Sequence, residues 1–359
     1  MSQKKTVCVL FGGQSSEHEI SCISATSVIK HLDKEKYEVL PLGITKKGKW
    51  FMYRGAVDKI ATGEWENGPI TRAIISPDGV MGGIIKLHED DYTRARIDVV
   101  IPVLHGLYGE DGTVQGLLEL AQIPYVGTGV LASALCMDKG YAKMIFKQAG
   151  IPHAPGAVVL AKDLDKMEQI VDMLEKTFEY PCFVKPCNAG SSVGITKAHH
   201  RQELENGLRF AADMDQRILV EAYIEGREIE CAVLGNDNPK ASVLGEIVPE
   251  REFYDYEAKY KDSNSALIIP ADLDEKTTQT VQVYAVKAYK ELGCSGLSRV
   301  DFFIHKQTGQ IYINEINTMP GFTDISMYPK LWEESGVSYT ALIDSLITLA
   351  LERSQQKCV

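Results

Sequence analysis

The chain has 359 residues and a formal net charge of −11, with 45% hydrophobic and 24% charged residues, an ordinary balance for a globular protein of two to three domains. Its basic residues are dispersed rather than striped, which argues against a nucleic-acid-binding surface. No apolar run approaches the roughly 18 residues needed to span a bilayer. The opening Met-Ser-Gln-Lys-Lys reaches a strand too soon for a secretory signal, so a cytoplasmic location is expected. Eight cysteines are scattered without a Cys-x-x-Cys pair, and they read as buried free thiols in a reducing compartment.

In chain order, residues 6–13 read as a strand ending in Gly12-Gly13, 16–32 as a helix and 37–44 as a second strand, before a charged, Gly-dotted stretch to about residue 95. The nearly continuous apolar run Ile97–Leu104 is what a parallel sheet covered on both faces requires. This is a doubly wound α/β start, in which ligands lie beyond the carboxyl ends of the strands. Residues 12–17 and 105–112 would then share one mouth. A helix-prone run at 131–149 carries Asp138-Lys139, and Gly150-Ile-Pro152 marks a boundary. Strands are predicted at 156–160 and 181–185 with a helix at 162–179 between them, then two strands within 218–234 and another at 243–248. Residues 249–267 form a polar loop rich in aromatics, long enough to be functional. An amphipathic helix at 275–292 and a closing one at 338–353 complete the reading, and no internal repeat is visible.

The chemistry concentrates near the end. Side chains two apart on a strand share a face, so Glu315 and Asn317 point together, as do Arg299 and Asp301. Mg²⁺ is usually held by one or two carboxylates plus substrate phosphates, and Asp301, Glu315 and Asn317 suit it, leaving Arg299 for an anion. A lone Glu-x-Asn is more often an exposed polar edge, but Pro320-Gly321 follows and forces a turn. Upstream, Gly190-Ser-Ser-Val-Gly194 follows Val184-Lys185-Pro186, a loop whose glycines and N–H groups can close over phosphates. It is not a Walker A sequence. Lys139, Lys185 and Lys259, on three segments, suit one triphosphate gripped from several sides. A dinucleotide oxidoreductase is excluded by the absence of G-x-G-x-x-G.

Seven motifs, Gly12–Ser21, His105–Gly112, Met137–Lys139, Val184–Pro186 with Gly190–Gly194, Phe253–Tyr260, Arg299–Asp301 and Asn314–Thr323, occur in the order seen in D-alanine–D-alanine ligases. From about residue 6 to 350 the sequence resembles that ATP-grasp family. The resemblance implies a three-domain α/β ATP-grasp fold: an N-terminal doubly wound parallel sheet (1–128), and central (129–215) and C-terminal (216–359) α+β domains clasping ATP. It implies ATP-dependent ligation of two D-alanines through an acyl phosphate, for peptidoglycan precursors, with two Mg²⁺ ions (Mn²⁺ as a substitute) on Asp301, Glu315 and Asn317.

By the same carry-over, Lys139, Lys185 and Lys259 contact phosphates, with Ser192 and Phe253 also on the ATP side. Glu228 takes the ribose, and Glu221, Ala222, Tyr223 and Ile224 border the adenine. Glu17 binds the ammonium of the first D-alanine with His105 nearby, Arg299 and the Gly321 N–H form an oxyanion hole, and Ser326 with Met327 receives the second D-alanine. Tyr260, bonded through Ser191 to Glu17, accompanies an amine acceptor, whereas ligases that use D-lactate replace it. The alternatives are a D-alanine–D-serine ligase and a nucleotide-binding relative without turnover. Family members are commonly homodimers, which carries over as an expectation; neither nucleic acid nor membrane is an expected partner.

Overall fold

A computed structural model describes residues 4–190, 193–248 and 266–356. Three sheets organise it. The first has seven strands in the order β6-β5-β4-β3-β2-β1-β7. Its centre is parallel: β1 (Lys5–Gly12) lies between β2 (Tyr37–Ile44) and β7 (Val99–Val103). Residues 7–11 of β1 and all of β7 are buried, as both-faced packing demands. Helix α1 (His18–His31) and α2 (Asp58–Ala61) accompany one face, while α3 (Thr113–Leu120) sends Val114 and Leu118 into the apolar cluster on the other. The charged stretch before residue 95, read from sequence without strands, instead supplies four antiparallel ones: β3 (Trp50–Tyr53), β4 (Ile70–Ile75), β5 (Ile84–Leu87) and β6 (Tyr92–Ala95). Outward positions at this sheet edge carry polar residues, which dilutes the strand signal.

The run expected as one helix at 131–149 is two, α4 (Val130–Met137) and α5 (Lys139–Gln148), broken at Asp138. Asp138 takes extended backbone angles and its carboxylate accepts the Tyr141 N–H, an N-cap on α5. The second sheet, β10-β9-β11-β8, contains β8 (Gly156–Leu160), β9 (Cys182–Pro186), β10 (Thr196–Ala198) and β11 (Arg217–Ala222). It is backed by α6 (Met167–Glu175) and α7 (Arg201–Ala212), whose apolar residues form a core drawn only from this segment.

The third sheet runs β14-β13-β12-β15-β16, with β12 (Gly226–Gly235), β13 (Lys240–Val248), β14 (Ala266–Ile268), β15 (Gly296–His305) and β16 (Ile311–Asn317). One face meets α8 (Glu275–Glu291) together with α4 and α5, through Ala132, Phe146, Tyr289 and Phe302. The other meets α9 (Met327–Glu334) and α10 (Tyr339–Gln356), and this core is continuous with that of the first sheet, Phe11, Val28 and Val103 sharing it with Leu297, Tyr328 and Leu346. Arg353 of α10 fastens the join by donating to Tyr125 O at 2.9 Å and Ser295 Oγ at 2.7 Å. Among the described residues no helix is long and apolar enough to cross a membrane.

Candidate active site

A cavity of about 1390 Å³ lies where the three sheets meet. Its lining includes Glu17, His105, Lys139, Lys185, Glu221 to Ile224, Glu228, Arg299, Glu315, Asn317, Gly321, Ser326 and Met327. The structure thus gathers around one cavity every described site residue singled out in the sequence except Asp301, which is not part of its lining. Ser191, Ser192, Phe253, Lys259 and Tyr260 fall outside the described residues.

Strand register builds the acidic end. Across β12, β15 and β16, Glu230 pairs with Asp301 and Asp301 with Glu315, while Arg299 pairs with Asn317. Residues directly opposite in antiparallel strands share a face, so three carboxylates form a row with one guanidinium among them. Arg299 Nε and Nη2 each donate to Asp301 at 2.7 Å, and Nε lies 3.1 Å from Glu230 Oε2. Asn317 Nδ2 donates to the same Asp301 oxygen at 3.0 Å. With its amide nitrogen so used, Asn317 keeps its carbonyl oxygen as a donor atom to a cation. Two carboxylates and an amide oxygen are hard ligands that fit Mg²⁺ in part, the rest of its shell being water and phosphate oxygen. Among the described residues no three His, Cys, Asp or Glu form a metal cage by themselves.

The floor between β9, β11 and α5 is basic. Glu221, 3% exposed, receives Lys185 at 2.5 Å on one oxygen and Lys143 at 2.6 Å on the other. Burial alone would raise the Glu221 carboxyl, but the two ammoniums outweigh it and hold it at about 2. Burial likewise works against the Lys185 ammonium, and Glu221 more than compensates, raising it. Lys139 donates to Ala189 O at 2.6 Å and stands 4.0 Å from Glu315. Phe183, Ile195, Tyr223, Phe303 and Ile313 give this end apolar walls, which suits a flat heteroaromatic base.

The opposite end is a loop held from another part of the chain. His105 is buried, with Nδ1 3.0 Å from Met319 O and Nε2 3.2 Å from Ser24 Oγ. A carbonyl can only accept, so the proton sits on Nδ1 and Nε2 accepts from the serine. Burial pushes the imidazole below its usual range, against a weaker opposing pull from Glu17. Glu110 accepts the Met319 N–H at 3.1 Å and the Gly106 N–H at 2.8 Å. The Phe322 N–H reaches Ser24 Oγ at 3.3 Å. Residues 319–322, which carry Gly321, are therefore clamped by three side chains of the first sheet's helix and loop. Ser326 Oγ accepts the Thr323 N–H at 3.0 Å beside Gly321.

Glu17, 6% exposed, stands at the N-terminus of α1, where the helix dipole favours a carboxylate. A side chain at Gly106 or Gly190 would begin 2.7 or 2.6 Å from its Oε2, so a Cβ at either position would displace the Glu17 carboxylate. Gly106 also has φ +68°, a left-handed conformation that glycine adopts without strain. Glu110, Lys143, Glu230 and Ser24 escaped the sequence reading. Glu110 stands inside the His105–Gly112 motif, Lys143 is one helical turn after Lys139, and Glu230 is two residues after Glu228 on strand β12, so for these three proximity to a predicted site residue is the available signal.

Comparison with known proteins shows the family and the fold. Family models described as D-ala D-ala ligase N-terminus and D-ala D-ala ligase C-terminus match residues 6–128 and 145–348. A D-alanine–D-alanine ligase of Acetivibrio thermocellus is 56% identical, the match covering 98% of this chain and 97% of the relative. One from Thermoanaerobacter sp. is 55% identical over 99% of each. Among solved structures, the VanG D-Ala:D-Ser ligase of Enterococcus faecalis superposes with a TM-score of 0.88 at 38% identity, covering 97% of this chain and all of that one. The D-alanine-D-alanine ligase of Coxiella burnetii gives 0.86 at 36% identity, covering 99% and 96%.

Proposed function

The chain belongs to the D-alanine–D-alanine ligase family, and on that premise we propose that it joins two D-alanines, driven by cleavage of ATP to ADP and phosphate, to make the dipeptide of peptidoglycan precursors in the cytoplasm. The observation that carries the reading is the single cavity with a basic floor, a metal-suited carboxylate row and a clamped turn placed in sequence along its wall.

The chemistry divides among these parts. The adenine lies among Phe183, Tyr223 and the Glu221–Ile224 segment at the end of β11, with Glu228 at the ribose. Lys139 and Lys185 neutralise phosphate oxygens, and the family resemblance adds Ser192, Phe253 and Lys259 as ATP contacts. Asp301, Glu315 and Asn317 would hold magnesium, two ions by the family resemblance, which would supply charge neutralisation at the transferring phosphoryl group. Glu17 fixes the ammonium of the first D-alanine so that its carboxylate oxygen attacks the γ-phosphorus, releasing ADP and leaving an acyl phosphate. The amine of the second D-alanine, its carboxylate at Ser326 and Met327, attacks the acyl carbon. Arg299 and the Gly321 N–H receive the oxyanion; phosphate leaves and the amine loses its proton. Tyr260, through Ser191 and Glu17, selects the amine acceptor. His105 in this scheme stands near the first D-alanine, on the cavity lining beside Glu17, and also holds the Met319 carbonyl, which positions the turn. A homodimer is the expected assembly.

The D-alanine–D-serine alternative is disfavoured by the higher identity to D-alanine ligases. The test is ADP release measured with D-alanine alone, then with D-serine or D-lactate as second substrate. D-alanine-dependent release with the dipeptide as product is expected. Preference for D-serine would assign the other reaction, and ATP binding without amino-acid-dependent release would make the chain a non-catalytic relative.

A further inference from the structure

Lys143 sits on α5 four residues after Lys139, on the same helical face. It is 7% exposed and stands behind the cavity wall, which Lys139, Lys185 and Glu221 line. Its ammonium lies 2.6 Å from Glu221 Oε2, while Lys185 lies 2.5 Å from Oε1 of the same carboxylate. Burying an ammonium is costly unless it is paired, and one lysine already balances one glutamate. The second ammonium leaves the trio with one positive charge over.

Lys185 needs that surplus. Glu221 is its nearest anion, and Glu315 and Glu228 also act on it. An ammonium surrounded by carboxylates is a poor receptor for a phosphate, because the incoming anion meets their repulsion as well as the lysine's attraction. His153 nearby feels the charges of Lys143, Glu221 and Lys147.

We infer that Lys143 is a positioning residue that cancels the charge of Glu221 and so frees the charge of Lys185 for the nucleotide phosphates. This rests on the nucleotide reading of the cavity. It implies that Lys143 matters for the phosphates and not for the base, although it touches neither.

The experiment is calorimetric binding of magnesium AMP-PNP and of adenosine to the full chain, with thermal unfolding as a check on each variant. Lys143→Met is expected to weaken AMP-PNP about tenfold, the effect of one moderate charge interaction, and adenosine less than twofold. Lys143→Arg restores the charge and is expected to bind both within about twofold of wild type. The double variant Lys143→Met, Glu221→Gln removes both charges and leaves Lys185 its own, so its AMP-PNP-to-adenosine affinity ratio should match that of Glu221→Gln alone, the comparison that cancels Glu221's own part at the adenine. Equal weakening of both ligands in Lys143→Met, or unchanged AMP-PNP binding, overturns the inference. If Lys143→Met does not fold, the ratio in the double variant decides, and a collapse of that ratio overturns it. Failure of wild type to bind AMP-PNP at all would instead remove the nucleotide reading.

Discussion

The two ends of the cavity are built differently. At the basic and acidic wall the functional groups are placed by strand register, Glu230, Asp301 and Glu315 being neighbours because β12, β15 and β16 are paired in that register. At the turn, the Gly321 N–H is placed by bonds between residues far apart in sequence: His105 and Met319 are 214 positions apart, Glu110 and Met319 209, Ser24 and Phe322 298. Losing a group in the first region removes that group's own chemistry and leaves its neighbours in place. Losing one in the second moves a backbone that other groups depend on. Mutations at the wall should therefore change turnover with little effect elsewhere, and mutations at the clamp should spread into substrate affinity.

The sharpest test of the wall is Glu315→Gln, which removes a ligand charge and is expected to lower kcat by about two to three orders of magnitude. Its melting temperature should stay close to wild type; near-normal turnover would remove Glu315 from the metal site. At the other end, Gly321→Ala puts a Cβ 2.8 Å from Ser326 Oγ, an oxygen already tied to the Thr323 N–H. The serine must give way, so KM for the second D-alanine should rise about tenfold or more with KM for ATP unchanged. A uniform fall in kcat with both KM values intact would mean that the turn tolerates the methyl.

Glu110→Gln tests the clamp through its charge. Burial, and then the charge of Glu17, push the Glu110 carboxyl up to about 8. Between the ordinary carboxylate range and that value the folded protein binds the proton that the unfolded chain has lost, so this group's contribution to stability falls as pH rises through that window. In Glu110→Gln that fall should vanish, seen as a flatter dependence of melting temperature on pH between 5 and 8. With one of two accepted N–H groups lost, kcat should drop by about tenfold. An unchanged pH slope would show that Glu110 does not titrate there. The smallest effect is expected from Ser24→Ala, which removes a long bond to Phe322 N. About a twofold loss in kcat/KM is expected, and a loss as large as that of Glu110→Gln would mean the clamp is carried by the serine.

The same contrast explains what could be read from sequence. The wall was legible because strand alternation alone puts Arg299 with Asp301 and Glu315 with Asn317, and the Pro320-Gly321 turn marks where the strand stops. The parallel centre of the first sheet was legible for the same reason, its strands being apolar on both faces. The clamp was hidden: Glu110 and Ser24 gain a purpose only when Met319 and Phe322 arrive from the other end of the chain, and no local pattern encodes that. His105 was found, but as a substrate neighbour, since its grip on Met319 O is a tertiary fact. The helix expected at 131–149 was read through its apolar content, and the capping power of Asp138 was passed over. The four strands before residue 95 were lost in their polar outward faces.

Helix α10 has a further consequence. By lying against the first sheet and the third at once, it fuses the two ends of the chain into one body with a common oily interior, and leaves residues 156–222 as an inserted lobe with an interior of its own. The contacts named between lobe and body are polar: Arg217 with Asp138 at 2.9 Å, Lys143 with Glu221, and the Lys139 N–H with Cys187 O at 3.1 Å. An oily seam opens only by wetting carbon, whereas a polar seam can trade its partners for water. The lobe is also tethered twice, at its entry before Gly156 and its exit after Ala222, which limits it to swinging about an axis rather than swivelling freely. The polar seam is thus the more easily rearranged of the two, and Lys139 and Lys143, on the body side, stand directly on it.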